Sequence, residues 1–165
     1  MVIGVMGPGE SATNEDKRIA FETGQIIALL GHVTLSGGRK YGVMDAVLSG
    51  AKNQNGLTVG VLPGKDTGDM SPYVDVPIVT GMGHARNAIN ILSSDVVIAI
   101  GEGAGTLSEI ALTLKSGKPI ILFNISDEIL VYLNRLKKNR IYSFADFDGN
   151  TLKELLEELT KSLKT

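Results

Sequence analysis

Four short stretches of this chain run apolar rather than alternating, with Thr58 the one polar residue among them: Val2 to Met6, Leu57 to Leu62, Val96 to Ile100 and Ile120 to Phe123. Strands covered on both faces have this pattern, because neither face meets water. Between them apolar residues recur at helical spacing: Ile19, Ile26, Ile27 and Leu30, then Ala85, Ala88, Ile89 and Leu92, then Leu107, Ile110, Ala111 and Leu114. Each set predicts one buried helix stripe. Weaker β-rich pieces at Val33 to Leu35, Val76 to Thr80 and Arg140 to Phe144 bring the expected strands to about seven. Near the end, Leu152, Leu155, Leu156, Leu159 and Leu163 share a face opposite Lys153, Glu154, Glu157, Glu158 and Lys161, as in a surface helix.

Strands that alternate with helices along the whole length predict parallel neighbours, since a parallel strand can only be started after a crossover. The expected fold class is therefore α/β. It is a single Rossmann-like, doubly wound domain over residues 1–165, with a mostly parallel sheet of about seven strands and helices on both faces. Residues 63–72, PGKDTGDMSP, are the one long polar stretch and predict a mobile surface loop, either a lid or a plain connection.

Composition narrows what such a domain does. Lys and Arg total 16 against 18 Asp and Glu, giving a net charge of −2 and a pI near 5.7. That leaves no basic footprint for a phosphate backbone, so no nucleic acid partner is expected. There is no cysteine, and two histidines, His32 and His84, cannot build a metal cluster alone, so no metal site is expected. The opening MVIGVMGPGES has no basic leader, and its apolar run is too short for a bilayer, which predicts a cytoplasmic protein with no membrane partner.

The 20 glycines are clustered, and their places carry the chemistry. A strand, a glycine turn and a helix follow one another three times: at Gly7-Pro8-Gly9-Glu10-Ser11, at Gly37-Gly38-Arg39-Lys40-Tyr41-Gly42, and at Gly101-Glu102-Gly103-Ala104-Gly105-Thr106. Right-handed crossovers bring all three turns to the carboxyl edge of a parallel sheet, where ligands bind in open α/β folds. Glycine lets the backbone approach closely, and free amides at a helix start attract anionic oxygens. The expected guest is a phosphorylated small molecule or nucleotide, held by Gly7, Ser11, Gly37, Gly38, Gly103, Ala104, Gly105 and Thr106. Tight packing between strand and helix also selects glycine and is the competing explanation.

The first turn also fits the dinucleotide pattern G-x-G-x-x-A, as Gly7 to Ala12. Pro8 removes an amide, Glu10 adds charge at the pyrophosphate position, and the second strand ends at Ser36-Gly37 without the acid that would bind a ribose. A nicotinamide dinucleotide is thus disfavoured. Polar candidates around the edge are Ser11, Arg39, Lys40, His84, Arg86, Asn87, Thr106 and Glu109. Arg86, near a helix start, is either a bidentate phosphate partner or a solvated arginine. Glu109 is either a carboxylate stabilising charge in the site or half of a capping box, Thr106-Leu107-Ser108-Glu109.

GEGAGTLSE, Gly101 to Glu109, resembles the P-G-G-x-G-T-x-x-E motif of the LOG family, phosphoribohydrolases once labelled lysine decarboxylases. SGGRKYGVM, Ser36 to Met44, is similar to the earlier glycine loop of the same SLOG superfamily, and Arg86 falls where its Arg-Lys pair lies. The likeness to the superfamily's molybdenum-cofactor carrier branch is at least as close. Resemblance to the enzymes implies hydrolysis of the base–ribose bond of a nucleoside 5′-monophosphate, with Arg86 and Glu109 as catalytic pair and the phosphate on Gly103, Gly105 and Thr106. Resemblance to the carriers implies that the same loops hold a pterin-type cofactor without catalysis. Neither needs a resident cofactor; a bound nucleotide, phosphate or pterin is the expected occupant, and the family implies a homodimer or higher homo-oligomer.

The chain departs from the enzyme motif at Gly101 for proline, Glu102 for glycine and Asn87 for lysine. A carboxylate at Glu102 is expected beside the phosphate seat, which predicts reduced phosphate affinity unless Glu102 points to solvent or takes a proton. Lysine decarboxylation is rejected, because the sequence offers no convincing lysine set up to hold pyridoxal phosphate as a Schiff base, Lys40 and Lys65 being the two left open.

Overall fold

The computed structural model describes residues 1–136 and 140–163. Its strands are β1 (Val2–Met6), β2 (Val33–Ser36), β3 (Thr58–Leu62), β4 (Val76–Val79), β5 (Val96–Ile100), β6 (Ile120–Phe123) and β7 (Ile141–Phe144). They form one sheet in the order β4-β3-β2-β1-β5-β6-β7, and each neighbouring pair is parallel. The winding reverses between β1 and β5, which opens a crevice at their carboxyl ends. The helices are α1 (Asn14–Leu29), α2 (Gly42–Asn53), α3 (Arg86–Leu92), α4 (Ala104–Lys115), α5 (Asp127–Arg135) and α6 (Gly149–Ser162).

Alternation along each strand divides the core in two. Ile3, Val5, Ile98 and Ile100 face a layer made by Ile19 and Ile27 of α1, Val43 and Val47 of α2, and Leu152 and Leu156 of α6. Met6, Val97, Ala99 and Leu122 face the other layer, with Ile91 of α3, Ile110 and Leu114 of α4, and Leu133 of α5. The unbroken apolar runs of β5 and β6 follow directly: all nine of their residues are buried, five in β5 and four in β6.

Three expectations are corrected. In α3 the buried residues are Arg86, Asn90 and Ile91, whereas Leu92 is 67% exposed and Ala85 lies outside the helix. In α4, Ile110 and Leu114 are buried as expected, but Leu107 and Ala111 face out. The apolar spacing pointed to the wrong faces because both helices turn polar side chains inward, towards the crevice. Residues 63–72 are not a free excursion either. The Gly81 and Gly83 amides donate to the carbonyls of Gly64 and Pro63, and the Lys40 and Ser71 amides donate to the carbonyls of Asp69 and Gly38, all at 2.8 to 2.9 Å. An antiparallel bridge between Arg39 and Met70 adds to these contacts, which tie the loop beside the second glycine turn.

At the far end of α3, Lys118 Nζ donates to the carbonyls of Ile91, Leu92 and Ser94. A cation on the last carbonyls of a short helix suits its dipole and fixes the helix that carries Arg86.

Candidate anion-binding site

The three glycine turns meet at the crevice between β1 and β5 around a cavity of about 280 Å³. Gly7, Pro8, Gly9 and Ser11 come from the first turn, Gly37 and Arg39 from the second, and Gly103, Ala104, Gly105 and Thr106 from the third. Its size is at the low end of small-molecule sites, which run from about 300 to 1,000 Å³. The third turn ends in Gly103, whose side has no group to cap α4, so the first amides of this helix are left for a ligand. Thr106, 2% exposed, has an Oγ1 without a hydrogen-bond partner.

Arg86 enters from α3. It is 8% exposed, its Nε has no hydrogen-bond partner, and it makes no ion pair among the described residues. The guanidinium lies so close to the second turn that a Cβ at Gly37 would stand 2.2 Å from Nη1. Burial lowers the Arg86 pKa; attraction to Glu109 opposes this and repulsion from Arg39 reinforces it. The solvated-arginine alternative is thereby excluded.

Glu109 lines the same cavity, 7% exposed. It is not half of a capping box: α4 begins at Ala104, so Thr106 is already in its first turn, and Glu109 Oε1 instead accepts a hydrogen bond from Asn90 Nδ2 at 2.9 Å. Burial pushes its carboxyl up to about 7, with the Asn90 bond and Arg86 pulling the other way. The folded protein therefore holds this proton at a pH where the unfolded chain has lost it. Stability contributed by the neutral carboxyl is full below about pH 4.5 and is lost as pH rises to about 7, by up to about 3 kcal/mol. Glu109→Gln is expected to remove this loss. Thermal melts at pH 8 will show the variant above the parent, with the gap closing towards pH 5.

Asn90 was missed from the sequence, where it reads as a polar break in an apolar stripe. Its Nδ2 holds Glu109, its Oδ1 has no partner, and it is fully buried.

The expected clash at Glu102 does not occur. Its Oε1 accepts a hydrogen bond from the Ser126 amide ahead of α5, outside the cavity, so the carboxylate leaves the phosphate seat clear. Gly101 has φ of +70°, which proline cannot adopt, and a Cβ there would meet the Asp16 carboxylate at 2.6 Å. Asp16 is committed, accepting from the Thr13 amide and Asn124 Nδ2. The enzyme-type substitution Gly101→Pro is expected to cost about 3 kcal/mol or more, measured by denaturant unfolding.

Other candidates are spread around the rim. Gly38 is not on the cavity: its amide donates to Ser36 Oγ and its carbonyl accepts from Ser71. Lys40 also lies elsewhere, donating to the Gly68 carbonyl. Arg39 does line the cavity, stacked on Tyr41 and 3.5 Å from Asp69. Glu10 sits 3.8 Å from Arg39 and does not reach the cavity. His84 and Asn87 stand at its mouth, Asn87 Nδ2 donating to Ser108 Oγ. There the cavity joins an apolar groove between α3 and α4, with Ala85, Ala88 and Ala111 in its walls. Among the described residues no helix is long and apolar enough to cross a membrane.

A model of the SLOG cluster4 family matches residues 1–149. An uncharacterized protein of Archaeoglobus fulgidus is 49% identical over 121 residues, 73% of this chain and 78% of the relative. The molybdenum cofactor binding protein from the phototrophic bacterium Rippkaea orientalis has a similar structure, with a TM-score of 0.89 and 50% identity over 99% of this chain and 97% of that one. The molybdenum cofactor carrier protein of Chlamydomonas reinhardtii gives a TM-score of 0.90 at 42% identity, over 97% of this chain and 98% of that one.

Proposed function

Because this chain belongs to the SLOG cluster4 family, we propose that it binds and carries a pterin-type molybdenum cofactor, gripping the cofactor's phosphate in the cavity between β1 and β5. The observation that carries this reading is Arg86, a buried guanidinium without an acceptor, facing the free amides of α4. A buried charge without a partner is unfavourable by several kcal/mol, and an oxyanion supplies the missing acceptors. Gly7, Ser11, Gly37, Gly103, Ala104, Gly105 and Thr106 complete the seat, with Thr106 Oγ1 as a further free hydroxyl. The relatives from Rippkaea orientalis and Chlamydomonas reinhardtii, whose ligand is the molybdenum cofactor, support the identity of the cargo.

In this reading the protein is a cytoplasmic homo-oligomer. Leu92 and Leu107, 67% and 40% exposed, and the apolar groove between α3 and α4 favour this face as the contact between copies.

One observation favours a second reading, hydrolysis of nucleoside 5′-monophosphates. Glu109 is held by Asn90 in the cavity that contains Arg86, with its carboxyl near neutrality, as a group handling protons at the base–ribose bond requires. The readings part on a single assay. Incubated with AMP and the other nucleoside monophosphates, a carrier releases no free base above the rate of a Glu109→Ala control. Base release that the substitution abolishes would replace the carrier reading with the hydrolase.

A further inference from the structure

The cavity contains a buried guanidinium and a buried carboxyl that attract one another without forming a direct ion pair. Arg86 makes no ion pair, and Glu109 takes its hydrogen bond from the neutral amide of Asn90. An oxyanion that satisfies Arg86 and the α4 amides therefore arrives beside a carboxyl that is itself out of water. Two anions in one buried site do not both stay ionised, and the group able to take up a proton does so.

Glu109 is the one carboxyl group lining the cavity among the described residues. The other ionisable groups facing it are Arg86 from α3, Arg39 from the turn after β2 and His84 from the short helical turn Gly83–Ala85. The turn after β1 contributes only Gly7, Pro8, Gly9 and Ser11, and β1 itself only apolar side chains. Arginine side chains are not deprotonated in proteins, and His84 is exposed to solvent.

We propose that this protein couples anion binding to protonation of Glu109: the oxyanion enters together with one proton from solvent, and loss of that proton above neutral pH releases it. The proposal rests on the anion-binding reading of the cavity. Well above pH 7 the balance approaches one proton consumed per anion bound and one returned on release, whereas below it Glu109 already carries that proton before the anion arrives. Burial already holds the carboxyl near neutrality in the free protein, so the coupling operates where a small pH change matters. For a carrier this means a tight hold on its cargo in mildly acidic conditions and a loosened one when the pH rises.

The test is calorimetric titration of the full chain with sodium sulfate, a tetrahedral dianion whose own charge does not change between pH 6 and 9. Wild type is expected to lose affinity about tenfold per pH unit above about pH 7, roughly 100-fold from pH 7 to pH 9. The measured heat should vary with the buffer's ionisation enthalpy, reporting uptake that rises from almost none at pH 6 towards one proton at pH 9. Glu109→Gln, which mimics the protonated carboxyl, is expected to bind with an affinity independent of pH and more tightly than wild type at pH 9. A purely structural Glu109 would instead make the variant weaker at every pH, which overturns the proposal. So would a flat pH profile in wild type, or a slope that persists in the variant and disappears in His84→Asn; both leave anion binding standing. Failure of wild type to bind sulfate at pH 6 overturns the coupling and the anion site together.

Discussion

Replacing Arg86 with methionine is expected to make the free protein more stable while abolishing its hold on an anion. The guanidinium is 8% exposed and has no acceptor at Nε, so folding takes a full charge out of water with little in return. Methionine keeps the aliphatic stem and removes the charge, which should stabilise the fold by about 1–3 kcal/mol. For a chain of this size that is roughly 3–10 °C in the melting temperature. Binding moves the other way. Charge-assisted hydrogen bonds contribute about 1.5–3 kcal/mol each, so losing the fork should weaken sulfate or phosphate binding by about 100-fold or more. Melting curves and anion titrations of the same preparations check both halves. A variant that melts lower than the parent would mean that Arg86 is part of the fold's framework instead of a group held ready for a ligand.

A methyl group at Gly37 is expected to separate binding from folding in a second way. It would stand 2.2 Å from Arg86 Nη1 and 2.6 Å from Met44 Sδ, and both atoms belong to the outer parts of flexible side chains. The backbone need not move, so Gly37→Ala should fold with a stability within about 1 kcal/mol of the parent. The guanidinium, however, must leave its place beside the second turn. Misplacing it is expected to cost at least about tenfold in anion affinity, with the melting temperature close to that of the parent. Unchanged affinity would show that the seat does not depend on where Arg86 lies. The carrier reading would then lose its main support.

Most of the fold was legible because its strands are buried on both faces. Runs such as Val96 to Ile100 and Ile120 to Phe123 have no polar positions, and few other structures produce that pattern. β4 is harder to read: it is one of the two edge strands, and all of its residues are exposed. The helix α5 escaped notice because it buries Leu133 alone within its length. The glycine turns were legible as an anion site because convergence on one sheet edge follows from topology and needs no distances.

What the sequence hid were relations between distant residues. Asn90 and Glu109 lie 19 positions apart, Glu102 and Ser126 lie 24 apart, and Asp16 and Asn124 lie 108 apart. No local spacing reveals that Glu102 turns outward or that Asp16 fills the space a proline at Gly101 would need. In α3 the helical spacing marks an apolar stripe, yet the fold turns Arg86 and Asn90 inward, against hydrophobicity, which is where a ligand site departs from the rules of packing.

The most direct test of the central claim is retention of the molybdenum cofactor. The purified chain is mixed with cofactor released from a molybdoenzyme, passed through a gel-filtration column without oxygen, and analysed for molybdenum and for pterin per chain. Close to one cofactor per chain is expected from wild type, with almost none from Arg86→Met. A wild-type protein that binds sulfate through Arg86 but leaves the column free of both pterin and molybdenum would contradict the carrier function.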